Sequence, residues 1–371
     1  MWRILRPDAV RVWNLEEVRD SLRWYHMVMR GERPAKYLIC KKVALEIDKP
    51  LTSLSEDALW KLHREASSNF KALWRKTREG EVSLEELSDP KVSYLDLKVE
   101  LAFRMLRKCE FCERKCGVDR LKGEKGFCKL DSNSRVASYF LHMGEEAPLV
   151  PSGTIFFTSC NSSCVFCQNW DISQDPLSGV EVSPEELANI MEYLRREGAK
   201  NINFVGGDPT PHLHNIVKAL KYTDVNVPLL WNSNFYMSLK ACELLIDLMD
   251  IALPDLKWGN DRCALRLSKL PNYFKVVTRN IKLFYDSEVE TIIRHLVLPS
   301  HLNCCTRPVL KWIAENCPKA LVNVMDQWHP DYLVARYPEK YPDISRYLTE
   351  DEIKEAYEEA ERLKLRWRAV S

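Results

Sequence analysis

The sequence predicts an α/β fold: a parallel sheet of six strand–helix units, preceded by a helical region and a short segment dense in cysteine. Three observations carry this expectation. From about residue 145 onward, short β-branched and aromatic runs alternate with helical patterns. Residues 1–105 show helical periodicity with capping signals. Between them, four cysteines fall at Cys109, Cys112, Cys116 and Cys128. The expected boundaries are therefore 1–105, 106–145 and 146–371.

Bulk properties narrow the function classes. A chain of 371 residues exceeds one small domain. Its 54 basic residues balance 53 acidic ones, so no global field favours nucleic acid or a membrane surface. Thirteen cysteines are too few and too clustered for a secreted disulfide scaffold, which predicts a cytoplasmic, reducing setting with metal-bound thiolates. Met1–Arg11 is short, charged and broken by Pro7, unlike a signal segment. No run of about 18 apolar residues predicts a membrane span.

In the helical region, Asn14 is expected to cap a helix running to Arg30, with Gly31 as its stop. Ser53 to Glu56 forms a capping-box pattern before a long helix with the stripe Leu59, Leu62, Ala66, Phe70 and Leu73. Ser83 to Glu86 is a second such box, ahead of a helix near Leu95–Leu106. The long helix also carries Lys61, Arg64, Lys71, Arg75, Lys76 and Arg78 beside Trp60 and Trp74. With no net charge bias, that row reads as a solvated face and not as a nucleic-acid surface.

The spacing C-x2-C-x3-C-x11-C at Cys109, Cys112, Cys116 and Cys128 is a metal-site signal. Lys108, Arg114, Lys115, Arg120, Lys122 and Lys125 would offset thiolate charge. Four ligands can close a zinc site or hold a complete iron–sulfur cluster, and the spacing leaves both open.

Candidate strands of the C-terminal part are Gly153–Thr158, Asn201–Val205, Val227–Trp231, Ile251–Leu256, Glu290–Leu298 and Leu321–Met325. Further capping boxes at Ser183–Glu186 and Thr349–Glu352 open two helices between and after them. In βα architectures chemistry collects where the strands end. The first strand ends at Cys160, Cys164 and Cys167, spaced C-x3-C-x2-C in a polar loop. Three thiolates would hold an iron–sulfur cubane with one iron open to a ligand. Buried core thiols, or three ligands of a zinc site completed elsewhere, are the rival readings. The second strand ends in Gly206-Gly207-Asp208-Pro209, where glycines admit a ligand closely and a carboxylate can meet an ammonium. Asn232, Asp255, Lys257, Arg294-His295 and Asp326–His329 end the others, and their convergence predicts one shared pocket.

Cys160–Cys167 resembles the signature of the radical S-adenosylmethionine (SAM) enzymes. Cys160–Ser173, Asp255-Leu256-Lys257 and Arg294–Pro299, with the four-cysteine segment, are similar to relatives of pyruvate formate-lyase activating enzyme. That resemblance spans about 109 to the C-terminus and implies a partial, TIM-like (β/α)6 barrel. It implies a [4Fe-4S] cluster on Cys160, Cys164 and Cys167, with SAM on the open iron. Gly206, Gly207 and Asp208 would meet the SAM amino group, Lys257 and Arg294 its carboxylate, and Phe166 the adenine. Asn232 and Asp255 join these as candidate cofactor contacts. The implied chemistry is reductive cleavage to a 5′-deoxyadenosyl radical that abstracts hydrogen, fed by a low-potential ferredoxin or flavodoxin. The implied substrate class includes a glycine backbone in a partner protein. A radical SAM methylating enzyme and a non-enzymatic iron–sulfur or zinc scaffold are the alternatives.

Overall fold

The computed structural model describes residues 2–371. Among them an eight-stranded sheet runs in the order β3-β1-β2-β4-β5-β6-β7-β8. Its strands are β1 (Ser134–His142), β2 (Ser152–Phe157), β3 (Val180–Val182), β4 (Ile202–Gly206), β5 (Leu229–Ser233), β6 (Ile251–Pro254), β7 (Glu290–Leu296) and β8 (Leu321–Met325). From β2 through β8 every pairing is parallel, with Ile155 beside Phe204 and Trp231 beside Ala252. These are the six strands of the expected (β/α)6 unit. Helices cover the sheet, so both faces of the strands are buried and the sequences read as unbroken apolar runs.

The two remaining strands were not foreseen. β1 lies antiparallel on β2, and the three-residue β3 lies antiparallel on β1. Tyr139 and Phe140 of β1 are exposed, so this outer strand lacks the alternation that marks a half-buried one.

Capping chemistry decides the helix starts. At Ser183 and Thr349 the boxes form as expected, opening Pro184–Arg196 and Glu350–Arg362. The long helix Glu56–Glu79 instead starts at Ser55, whose hydroxyl accepts from the Ala58 amide, while Ser53 turns back to the Pro50 carbonyl. Ser83 caps only the short turn Leu84–Glu86, and Ser93 with Asp96 caps Tyr94–Leu106. Asn14 caps nothing: it ends a short turn, and the helix expected there is split at Leu22 into Glu16–Ser21 and Arg23–Met29. The split has a cause in the barrel. Glu290, at the start of β7, accepts from the Trp24 and Tyr25 amides at 2.6 and 2.8 Å, which an unbroken helix would have used internally.

The helices Arg23–Met29 and Lys36–Lys42 dock at the starts of the strands, whereas Arg6, Asp8, Arg11 and Leu15 line the cavity of the candidate site. Asp250, just before β6, accepts from Trp24 Nε1 (2.7 Å), the Lys36 amide (3.0 Å) and the Leu229 amide (2.9 Å). Trp74 meets Trp24 edge-on, and Trp60 and Trp74 are both buried. The aromatics that sat beside the basic row in the sequence thus belong to the core.

Burial pushes the Glu290 carboxyl up to about 8 from its ordinary 4.5. Glu145 is likewise pushed up to about 7 by burial and by its neighbour Glu146. Both groups hold a proton more tightly when folded, so their contribution is complete at low pH and is lost as pH rises through these values. His212 and His295, held down to about 3 and 4 by burial, act the other way and add stability up to about pH 6.5. Between about pH 4.5 and 6.5 the two pairs oppose each other, so denaturant midpoints are expected to level off there and to fall from about pH 6.5 towards about pH 8. A midpoint that keeps rising through that range would refute the assignment of Glu290 as a protonated buried carboxyl.

Candidate functional site

A cavity of about 980 Å³ opens at the C-terminal ends of the parallel strands. Cys160, Cys164 and Cys167 all line it. They sit in the loop after β2, which turns sharply at Ser159 (φ +65°) and is tied down by the Ser159 amide on the Ile172 carbonyl. Each sulfur lies beside a hydroxyl: Cys160 by Ser162 (3.1 Å), Cys164 by Ser268 (3.1 Å) and Cys167 by Ser173 (3.2 Å). Burial pushes the Cys160 thiol well up, and Cys167 up to about 11. Thiols this reluctant to ionise alone become thiolates when a metal compensates their charge. The donor set therefore fits a metal cluster: sulfur ligands facing one space, with hydroxyls ready to donate to them.

Opposite the cysteines runs a ladder of charge. Lys257 Nζ donates to Asp255 (2.6 Å), Arg294 Nε donates to the other Asp255 oxygen (2.8 Å), and Arg294 also reaches Asn232 Oδ1 (2.5 Å). Burial opposes the charge on Asp255, but Arg294 and Lys257 outweigh it and hold the carboxyl below its usual range. Burial opposes Lys257 too, and Asp255 with Cys164 raises it on balance. All four side chains line the cavity, as expected.

Phe166 lines the same cavity, wedged edge-on between Trp258 (5.7 Å) and Trp328 (5.2 Å). The second strand end behaves differently from expectation. Gly206 and Gly207 line the cavity, yet their missing side chains face the chain itself: a Cβ on Gly206 would lie 2.1 Å from the Phe157 carbonyl, and one on Gly207 1.9 Å from that of Ser159. Asp208 is buried, and its two oxygens accept from the Thr210 amide (2.9 Å) and the Asn234 amide (3.1 Å). Both carboxylate oxygens are thus engaged in bracing the ends of β4 and β5. Arg294 and His295 also part company, since neighbouring strand residues face opposite ways. His295 is turned into the core between the Leu256 carbonyl (2.8 Å) and Thr306 Oγ1 (3.0 Å).

The family model that matches residues 154–313 is that of the radical SAM superfamily. The chain is a radical SAM protein. An uncharacterised protein of Methanocaldococcus jannaschii is 44% identical over 347 residues, covering 92% of this chain and 97% of that one. A probable GTP 3′,8-cyclase of Pyrococcus horikoshii is 26% identical over 139 residues, or 36% of this chain and 44% of the cyclase. Among solved structures, Streptococcus suis SuiB bound to its precursor peptide SuiA shares 14% identity at a TM-score of 0.42, over 86% of this chain and 67% of that one. The M. jannaschii likeness reaches well into the N-terminal helices, which lie outside the radical SAM match.

The four-cysteine segment of this radical SAM chain adjoins the first cysteine loop. Cys109, Cys112, Cys116 and Cys128 line one small cavity, together with Arg114, Arg120 and Asn161. Asn161 directly follows Cys160, and its carbonyl accepts from Arg114 Nε at 2.6 Å. Arg120 is buried, with a guanidinium nitrogen 4.0 Å from Cys109 Sγ and its shorter hydrogen bonds on the Asp131 and Pro211 carbonyls.

Two groups escaped the sequence reading. Glu145 and Glu146, between β1 and β2, also line the cavity, where they accept from Asn203 and Asn323, each at 2.9 Å. Their doublet was a visible signal, but without β1 nothing placed it at the site. The second group is Cys263, His301, Cys304 and Cys305, in which Cys263 comes from a separate connection and meets the other three behind Trp258.

Proposed function

We propose that this protein is a radical SAM enzyme of the activating-enzyme type, with Cys160, Cys164 and Cys167 as the ligands of its [4Fe-4S] cluster. The observation that carries the proposal is the shared cavity, with three hydroxyl-supported sulfurs on one wall and the Lys257–Asp255–Arg294 ladder on the other. A [4Fe-4S] cluster held by Cys160, Cys164 and Cys167 would supply the electron for reductive cleavage of bound SAM.

The chain's own residues bind and orient. Lys257 meets the SAM carboxylate, with Asp255, Arg294 and Asn232 fixing its position. The backbone at Gly206 and Gly207 meets the amino group, while Asp208 braces that loop in place of touching the ligand. Phe166 presents its ring to the adenine, held still by two tryptophans. The four-cysteine segment serves as an electron-transfer cluster fed by a low-potential ferredoxin or flavodoxin; Asn161, shared between the two thiol sets, supports this over an isolated zinc site. The substrate class that the activating-enzyme likeness carries is a glycine backbone in a partner protein.

Anaerobic reconstitution with iron, sulfide, reductant and SAM tests the reading through its products. 5′-Deoxyadenosine with methionine supports it. A methylated product would favour a methylating enzyme, and neither product would leave a metal scaffold. Lys257→Ala should weaken SAM binding by roughly 1.5–3 kcal/mol, the size of one charge-assisted hydrogen bond, while iron content stays unchanged. Unaltered affinity in isothermal titration would remove Lys257 from the ligand set.

A further inference from the structure

We propose that Cys263, His301, Cys304 and Cys305 hold a zinc ion in a closed, tetrahedral Cys3His site that anchors the helix behind the first cysteine loop. The four ligand atoms lie within 4.8 Å of one another. His301 Nδ1 is 3.6, 3.3 and 3.7 Å from the sulfurs of Cys263, Cys304 and Cys305. Cys304 Sγ is 4.0 Å from that of Cys263 and 3.8 Å from that of Cys305. With zinc–sulfur bonds of about 2.3 Å and a zinc–nitrogen bond of about 2.0 Å, a tetrahedron separates two sulfurs by roughly 3.8 Å and sulfur from nitrogen by roughly 3.5 Å. The observed edges match a single ion and are too short to enclose a cubane.

Local structure is built for this convergence. Residues Leu302–Thr306 form one wide π-helical turn, which directs the adjacent Cys304 and Cys305 to the same point. Gly259 leaves room for it, since a Cβ there would come within 2.8 Å of the Cys304 and Cys305 carbonyls. Asn260 donates to the sulfurs of Cys263 (3.3 Å) and Cys305 (3.6 Å). The other ring nitrogen of His301 contacts Asp343 Oδ2 at 3.0 Å, the carboxylate–histidine arrangement that orients metal-bound imidazoles. Three neutral thiols sharing one imidazole nitrogen would leave two without that acceptor. A divalent ion that displaces three thiol protons satisfies all four groups, and soft sulfur with imidazole selects zinc.

The anchor acts at a distance. Cys263 lies in the first turn of the helix Asp261–Ser268, and the last residues of that helix hold the loop of Cys164. The Ser163 amide donates to the Ser268 carbonyl (3.0 Å), the Val165 amide to that of Leu267 (2.9 Å), and Ser268 Oγ touches Cys164 Sγ. Zinc at this site would thus set the position of one proposed cluster ligand without taking part in SAM chemistry.

The full-length chain, grown in zinc-supplemented medium and purified anaerobically, is the test material. Metal analysis should find about one zinc that Cys304→Ser lacks and Cys112→Ser retains. Asp343→Asn keeps every ligand and should surrender zinc to a chelator about 10–100-fold more readily. Iodoacetamide should modify Cys304 slowly until a chelator is added. Equal zinc in Cys304→Ser and the parent would overturn the proposal, as would unprotected Cys304 or a Cys263–Cys304 disulfide in the purified protein. Zinc retention is read without SAM, so its failure and that of SAM cleavage are separate results.

Discussion

Cys164→Ala protein is expected to fold, to carry no intact [4Fe-4S] cluster and to leave SAM uncleaved. The loop does not depend on this sulfur for its shape. Ser163 and Val165 on either side are held by carbonyls of the helix Asp261–Ser268, and the Val165 carbonyl accepts from the Leu333 amide at 2.9 Å. The change therefore removes a ligand and the contact to Ser268, and little else. With two sulfurs left on the cavity wall, cleavage should drop at least about a thousandfold, on the order of 4 kcal/mol of barrier. Chromatography of 5′-deoxyadenosine measures it, alongside iron content and a thermal melt. Full cleavage by this variant would sink the assignment of all three cysteines.

Gly206→Ala should damage the fold near the site severely. Gly206 sits at φ +119°, and an added Cβ would meet the Phe157 backbone at 2.1 and 2.3 Å. Both obstructions are main chain in paired strands, so neither can swing aside. Forcing β2 and β4 apart should cost roughly 3 kcal/mol or more and should loosen the cysteine loop that follows β2. A lowered melting temperature with reduced iron uptake is the expected outcome. A variant that melts with the parent protein would show that β2 and β4 do not approach this closely.

The parts of this molecule that were legible in the sequence are those with local causes. Buried parallel strands announce themselves as apolar runs, and all six appear within a few residues of where the runs lie. The boxes at Ser183 and Thr349 work because cap and partner are three residues apart. Ser53 and Asn14 misled because the true determinants were elsewhere: Ser55 offered the better cap, and the carboxyl group of Glu290, more than 250 residues away, broke the first helix. At Asp208 the sequence shows a carboxylate but not the Thr210 and Asn234 amides that already occupy it. In the second metal-ligand group His301, Cys304 and Cys305 sit close together in sequence, but Cys263 belongs to the preceding strand–helix connection, and only the fold brings the four together.

The ladder from Lys257 through Asp255 to Arg294 has a consequence for the entropy of binding. A lysine normally spends its ammonium's freedom when a ligand arrives, and that ordering subtracts from affinity. Here Asp255 has immobilised Lys257 beforehand, and Arg294 with Asn232 has immobilised Asp255. The cost of that order was met during folding, when the side chains were enclosed. A ligand carboxylate that met Lys257 would find a cation already in position, so its orientation would be fixed at first contact and not by later adjustment of the protein.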